Sequence, residues 1–529
     1  MKVHTLLLLS CLVLLVEPYK ILMYTNLFGH SHIKMLGAVS DVLTDSGHDV
    51  TVLMPVMDAT QINKTAMKTT KKVIMIEPHE TVTKMFETMT DFMKDLWKSD
   101  NSNPLVMFFK AGAMSQLFGN QCRVVLSDKK LIEQLKAENF DLAITEPFDT
   151  CAYHLFDAIN VRAHVAVLAS GRLDHVSDAF GQPSLPSYVP SALSVHGDKM
   201  TFWQRFMNSV QSFTGGYVFA TIGDHDYKVA KEIHPNIRSW RETLPEASFL
   251  FTNQVPFLDF PAPTFDKIIP IGGVSVKTGK KDLKLPARWD KVLSLRKKNV
   301  FISFGSNAKS IHMPQEYKNS LLEVFKSMPD TTFIWKYENE KDTIVDHLDN
   351  VVLGDWLPQN ELLGDPRLTV FVTHGGLASV TELAYMGKPA VMIPLFADQG
   401  RNAVMLKRHG GAEVINKFDL SNSKLIKETL EKVMANKKYD ENAKRLADML
   451  NNQPTDPKQT LVKYVEFAAK FGKLPTMDNQ GRHMGYIEYF NLDVIALVLV
   501  VIAVVLYVTV RVNICLFRKC FGKPKPKTE

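Results

Sequence analysis

The stretch that decides the fold is Phe371-Val-Thr-His374-Gly375-Gly376-Leu-Ala-Ser379-Val-Thr-Glu382. An apolar run ends at His374, two glycines follow, and helix formers take over, which is how a buried strand opens into a helix. Unpaired N–H groups at such a helix start, with glycines permitting close approach, make an anion site suited to a diphosphate. Upstream stands Trp356-Leu-Pro-Gln359, whose indole can stack on a planar base while the amide meets the base edge. Glu382 falls about two turns down the helix from His374. Downstream, Pro389-Ala-Val-Met-Ile-Pro394-Leu-Phe-Ala-Asp398-Gln399 runs from a strand into another helix, at whose opening a carboxylate and an amide can bind neighbouring hydroxyls.

Outward from this stretch, apolar strands are expected at 299–304, 331–337, 351–353, 368–373, 389–394 and 412–415, with helices near 314–327, 376–386, 399–409 and 423–435. The first half repeats the alternation. Residues 20–25 and 49–55 read as strands, and Ile33, Leu36, Val39, Val42 and Leu43 give 31–46 a helical period that stops at Gly47. Strands at 141–145 and 164–169 follow. Pro256, Pro261, Pro263 and Pro270, then Gly272-Gly273, mark 256–290 as a linker. The reading is α/β, with two facing Rossmann-like domains at 20–255 and 291–450 and a cleft between them. No G-x-G-x-x-G and no Walker loop is present, which removes the usual support for dinucleotide oxidoreductases and P-loop enzymes.

A chain of 529 residues suggests two or three domains at about 150 residues each. Hydrophobic content of 46% and charged content of 22% exclude a disordered, collagenous or polytopic membrane chain. Five of the six net positive charges lie from Arg511 onward, so the body is nearly neutral and offers no basic footprint for nucleic acid. Lys2 and the apolar run 6–16 have the form of a secretory signal, placed at 1–19. A helical, membrane-proximal segment is expected at 451–491. Residues 494–510 carry no charge and span about 26 Å as a helix, enough for a transmembrane segment at 492–511 once neighbouring apolar residues join. Arg511, Arg518 and Lys519 then predict a cytosolic tail, 512–529, and a type I single-pass topology. Asn63-Lys64-Thr65 is a glycosylation sequon. Cys122 and Cys151 are the two cysteines left in the body, and their pairing stays open. Lys525 and Lys527, fifth and third from the end, are spaced like a dilysine retrieval signal of the endoplasmic reticulum.

The stretch from Phe371 to Gln399 closely resembles the signature of the UDP-glycosyltransferase family, which includes the animal glucuronosyltransferases. Ser303-Phe-Gly305-Ser306, the linker glycines and Leu492-Asp493-Val494-Ile495 extend the likeness over nearly the whole chain. The resemblance implies a GT-B fold. It implies that Trp356 and Gln359 hold uracil, Glu382 the ribose hydroxyls, and Ser306, His374, Gly376 and Ser379 the diphosphate, while Asp398 and Gln399 hold the sugar. The catalytic histidine of the family follows the first strand in a Ser-His pair, matched by Ser31-His32, with His30 a rival and His48 structural. Its partner acid is an Asp before Pro; here Glu146-Pro147 stands instead, and Asp149 is the fallback.

The activity so implied is inverting transfer of a glucuronosyl or glucosyl group from a UDP-sugar to a hydroxyl of a small lipophilic acceptor, with His32 as base. No cofactor and no metal are expected. Self-association stays open. The competing readings are a catalytically inactive, single-pass lipophile-binding protein and a transferase acting on lipid or protein. Asp224-His225-Asp226 has the form of a metal-chelating D-x-D and His30-x-His32 that of a metal pair, though neither has the context such sites need. Met85, Phe86, Met89, Phe92, Met93, Met107, Phe108, Phe109, Met114 and Phe118 could line a deformable acceptor pocket or be helix core. Phe202, Trp203 and Phe206 could form an interfacial patch or pack inside.

Overall fold

In the first strand, β1 (Lys20–Tyr24), Ile21 and Met23 enter one apolar cluster and Leu22 and Tyr24 another, so both faces of the sheet are covered. The helix that follows, α1 (His30–Asp45), buries Ile33, Leu36, Val39 and Leu43 on one face. It ends where Gly47 takes φ 94°, a conformation that costs glycine little. The computed structural model describes residues 18–522 except 64, 100–103 and 277–282, without the side chains of 60, 86, 88–94, 104, 105, 107 and 110. Nearly all of the leader and the lysines at 525 and 527 lie outside the described residues.

Seven strands form the first sheet. They are β1, β2 (Asp49–Pro55), β3 (Lys72–Ile76), β4 (Leu142–Thr145), β5 (His164–Leu168), β6 (Leu250–Thr252) and β7 (Ile268–Pro270). All pairings are parallel, in the order β3-β2-β1-β4-β5-β6-β7. Six form the second: β8 (Lys298–Ser303), β9 (Thr331–Lys336), β10 (Val351–Gly354), β11 (Val370–Thr373), β12 (Ala390–Met392) and β13 (Ala412–Val414). Their order is β10-β9-β8-β11-β12-β13, again all parallel. Strand order reverses at β1/β4 in one sheet and at β8/β11 in the other. Crevices that bind ligands lie at such switch points, outside the carboxyl ends of the strands.

Two elements depart from the sequence reading. The proline-rich stretch taken as linker contributes β7, because Ile268 and Ile269 are apolar enough to extend the sheet edge beside β6. Past the second sheet, helix α2 (Pro457–Phe471) returns to the first one. Its Leu461, Val465 and Ala468 are fully buried in the cluster that holds Ile21 and Met23.

Cys122 and Cys151 form a disulfide. The described chain falls into two compact units, one ending at Met477 and one beginning at Asp478. The second unit carries the helix α3 (Leu492–Phe521), thirty residues long and apolar enough to cross a membrane.

Candidate functional site

The first half of the site is assembled at the β1/β4 switch. Gly29, at φ 71°, lets the chain turn directly into α1, which brings His30, Ser31 and His32 into its first turn. His32 Nδ1 lies 2.7 Å from Glu146 Oε2, just beyond β4. The other carboxylate oxygen, Oε1, accepts from the Ala169 N–H at 2.9 Å, so Glu146 is held at both ends. The longer side chain that stands where the family has Asp reaches the imidazole. With Nδ1–H donated to Glu146, Nε2 carries the lone pair. Burial works against a charged ring, yet the Glu146 carboxylate, aided by Asp398, holds His32 above its ordinary 6.5. Beside this pair is a small recess of about 30 Å³ walled by Phe28, Phe118 and Phe148.

His30 turns elsewhere: its ring meets Trp356 edge-on at 5.5 Å. His48 is buried, with Nε2 3.5 Å from Glu466, as a structural residue would be. Asp149 accepts from the Cys151 N–H at 2.8 Å and from Asn26, and does not reach the imidazole.

The second half sits at the β8/β11 switch. Helix α4 (Leu377–Met386) starts after Gly376 with no side-chain cap, leaving its first N–H groups to an incoming anion. The His374 ring is packed between two glycines: a Cβ at Gly305 would come within 2.7 Å of it and one at Gly376 within 2.8 Å. Burial, with the Lys336 ammonium nearby, pushes His374 down to about 4, so it is neutral at physiological pH and offers a hydrogen bond rather than a charge. Ser306 follows Gly305 in the loop after β8. Lys336, which sequence reasoning passed over, donates to the Gly305 carbonyl at 2.9 Å; only its place at the end of an apolar strand hinted at it.

Gln359 Nε2 donates to Ser379 Oγ at 3.1 Å and to Glu382 Oε2 at 2.6 Å, tying three of the expected donor ligands together. Glu382 is nearly buried and also takes an ion pair from Lys34 of α1, a contact across the cleft that sequence spacing did not suggest. Trp356 presents an indole that is 57% exposed, as stacking on a base requires. Asp398 follows Ala397, whose φ of 54° is uncommon for a residue with a side chain. Its carboxyl, raised by burial, accepts from Asn402 at 2.9 Å. Gln399 opens the helix that follows. Its Oε1 accepts from the N–H groups of Leu395 and Phe396 at 2.9 and 3.0 Å, so its carbonyl end shapes the loop that presents Asp398.

Other signals resolve as structure. Asp224 pairs with Arg241 and accepts from the Trp240 indole at 3.1 Å, while Asp226 is fully buried against Thr150. They point apart in chemistry and do not form a D-x-D chelate. Among the described residues no group of three or more His, Cys, Asp or Glu is disposed to hold a metal ion. Phe118 lines the recess and Met85 and Met114 pack around it, whereas Phe108 and Phe109 are exposed; the side chains of Phe86, Met89, Phe92, Met93 and Met107 lie outside the described residues. Phe202, Trp203 and Phe206 are all more than half exposed and are not core. Asn63 is exposed in a turn, and Lys64 of its sequon is outside the described residues.

Two parallel sheets whose switch points face a shared crevice, one carrying a His–carboxylate pair and the other an uncapped helix start, define a GT-B glycosyltransferase. Solved structures bear out the fold. Glycosyltransferase VinC in complex with DTDP aligns with TM-score 0.57 at 16% identity, covering 86% of this chain and 100% of that one. Phytolacca americana UGT2, complexed with UDP-2fluoro-glucose and pterostilbene, aligns with TM-score 0.55 at 17% identity over 86% and 100%. Residues 20–527 match the family described as UDP-glucoronosyl and UDP-glucosyl transferase, and the chain belongs to it. UDP-glucuronosyltransferase 1A8 of Homo sapiens is 28% identical over 93% of this chain and 91% of its own length. A UDP-glucuronosyltransferase of Pleuronectes platessa is 29% identical over 77% and 85%.

Proposed function

We propose that this protein transfers a glucuronosyl or glucosyl group from a UDP-sugar to a hydroxyl of a small lipophilic acceptor, with inversion. The observation that carries the reading is the 2.7 Å contact between His32 and a Glu146 carboxylate that is itself anchored, at the mouth of an aromatic recess. His32 Nε2 takes the acceptor's hydroxyl proton as the oxygen attacks the anomeric carbon. The bond from that carbon to the diphosphate oxygen breaks, and UDP leaves with the electron pair. The start of α4, neutral His374 and Ser306 bind the departing diphosphate. Trp356 and Gln359 hold uracil, Glu382 the ribose, and Asp398 the sugar hydroxyls, with Gln399 fixing the Asp398 loop. No metal enters this scheme.

We place the body in the lumen of the endoplasmic reticulum, on the far side of α3 from the basic tail. Cleavage of the leader, a glycan at Asn63 and retrieval through Lys525 and Lys527 belong to the same reading. Donor-competition mass spectrometry tests the function: the full-length protein in membranes, offered several UDP-sugars and a mixture of phenols, should yield one class of hexoside. Tight UDP binding without product from any donor would favour the inactive lipophile-binding alternative.

A further inference from the structure

One residue of the first half is buried in the core of the second. Trp97, in the turn between the helices Glu80–Asp95 and Pro104–Ser127, is fully buried in the cluster that covers one face of the second sheet. Among the described residues, every other buried member of that cluster lies between Val300 and Tyr439. The indole meets the Phe304 ring edge-on at 5.0 Å. Phe304 directly precedes Gly305 and Ser306, in the loop proposed to hold the diphosphate.

A cation fastens the same turn. Lys417, 5% exposed, follows β13 and donates to three carbonyls: Leu96 at 2.8 Å, Ser99 at 2.5 Å and Leu395 at 2.8 Å. Carbonyls suit a buried ammonium, which has three protons to place and accepts nothing. Two of them belong to the first half. The third, that of Leu395, stands at the start of the loop that presents Asp398, and the Leu395 N–H donates to Gln399 Oε1 at 2.9 Å. The turn is closed by the N–H groups of Lys98 and Ser99, which donate to the Asp95 carbonyl at 3.0 and 2.9 Å. One short turn of the first half is thus joined to both loops, to one through Phe304 and to the other through Lys417. Trp97 Nε1 is buried with no partner, so the contact uses the ring and not the N–H, and another aromatic ring can stand in for it.

We infer that Trp97 is a positioning residue for the donor: with Lys417 it fixes, from the other half of the molecule, the loops that carry Ser306 and Asp398, so that UDP binding and docking of the turn reinforce each other. Trp97 acts through Phe304 and need not touch the donor. This rests on the proposed donor ligands.

The test uses the full-length protein with UDP as the probe, binding read by calorimetry and stability by Tm. Trp97→Ala should weaken UDP roughly tenfold, and Lys417→Met should act in the same direction. Trp97→Phe, which keeps a ring, should bind UDP as the wild type does. Leu430→Ala is the comparison, since Leu430 is buried in the same cluster but lies in neither loop; it should lower Tm and leave UDP affinity unchanged. A Trp97→Ala protein that loses Tm as Leu430→Ala does, yet binds UDP as tightly as the wild type, overturns the inference, because Trp97 is then core and nothing more. Hydrogen exchange on the wild type answers the same question without any variant. UDP should slow exchange at 96–99 as well as at 305–306 and 395–399. UDP that binds and protects the second-half loops but not 96–99 overturns the inference alone. UDP that does not bind at all overturns it together with the donor reading.

Discussion

At the scale of single residues, two histidines in one cleft are held in opposite states. His32 is raised by its carboxylate partner and His374 is lowered by burial and a lysine, which suits one to exchanging a proton and the other to donating a fixed hydrogen bond. The pH dependence has a definite sign. A base must be unprotonated to act, so kcat/KM should fall as pH drops through the His32 pKa, above 6.5. Glu146→Gln removes the charge that raises His32, so the acid limb of the profile should move to lower pH while the maximal rate declines. An acid limb that stays in place would show that Glu146 does not act on His32. Replacing the base itself, His32→Ala should cut turnover on the order of 10²–10⁴-fold with UDP affinity unchanged, read by single-turnover kinetics and calorimetry. Trp356→Ala should do the converse and weaken UDP by roughly 1–3 kcal/mol, by analogy with base stacking. Sequence named His32, Glu146, His374 and Glu382, because motif spacing carries the identity of such residues. It could not show that Lys34 meets Glu382 or that Asn26 meets Asp149, since those pairs join at the crevice from distant segments.

At the scale of elements, the decisive pieces are loops between a strand and a helix. Hydrophobic period made much of the second half readable: 423–435 is a helix as expected and 399–409 ends one residue earlier, whereas the helices Gln359–Gly364 and Lys437–Asn451 were not read. The three-residue strand β7 was not readable, because so short a piece has no period and is recruited by the sheet edge. The loop after β8 can be tested through Gly305. An alanine there would need φ near 83° and would press its Cβ on His374 at 2.7 Å. Gly305→Ala should lower stability by about 1–3 kcal/mol and weaken UDP more than it weakens acceptor binding, measured by thermal unfolding and calorimetry. The disulfide is a second element-scale feature. It joins the long helix Pro104–Ser127 to the start of Cys151–Ala158, beside the loop that carries Glu146. Cys122→Ser with Cys151→Ser should cost about 2–4 kcal/mol in unfolding experiments. Cysteine counting left that pairing open, since two cysteines define a pair without showing that they meet.

At the scale of the whole molecule, the cleft is bounded by two sheets that the chain joins twice, once through residues 256–290 and again through α2. The second crossing is anchored where it ends: Ser248 donates to the Gly472 carbonyl at 2.8 Å and Lys473 pairs with Glu246 at 2.6 Å. Leu461→Ala should therefore destabilise the first sheet by about 2–5 kcal/mol, seen as a lower Tm. Metal independence is also a property of the whole, since it asks whether any carboxylate cluster participates. Exhaustive EDTA treatment should leave transfer intact, whereas loss of activity restored by Mn²⁺ would return weight to Asp224 and Asp226.

The return of α2 also changes what counts as a separable part. Cut within 256–290, the polypeptide becomes two fragments, yet the second carries at its far end the piece that completes the first one's core. The two fragments should then copurify as one particle, and a first fragment made alone should be insoluble until the second, α2 included, is supplied. Division at that point makes a reconstitutable pair, in which the assembly of the cleft becomes a binding event with its own concentration dependence.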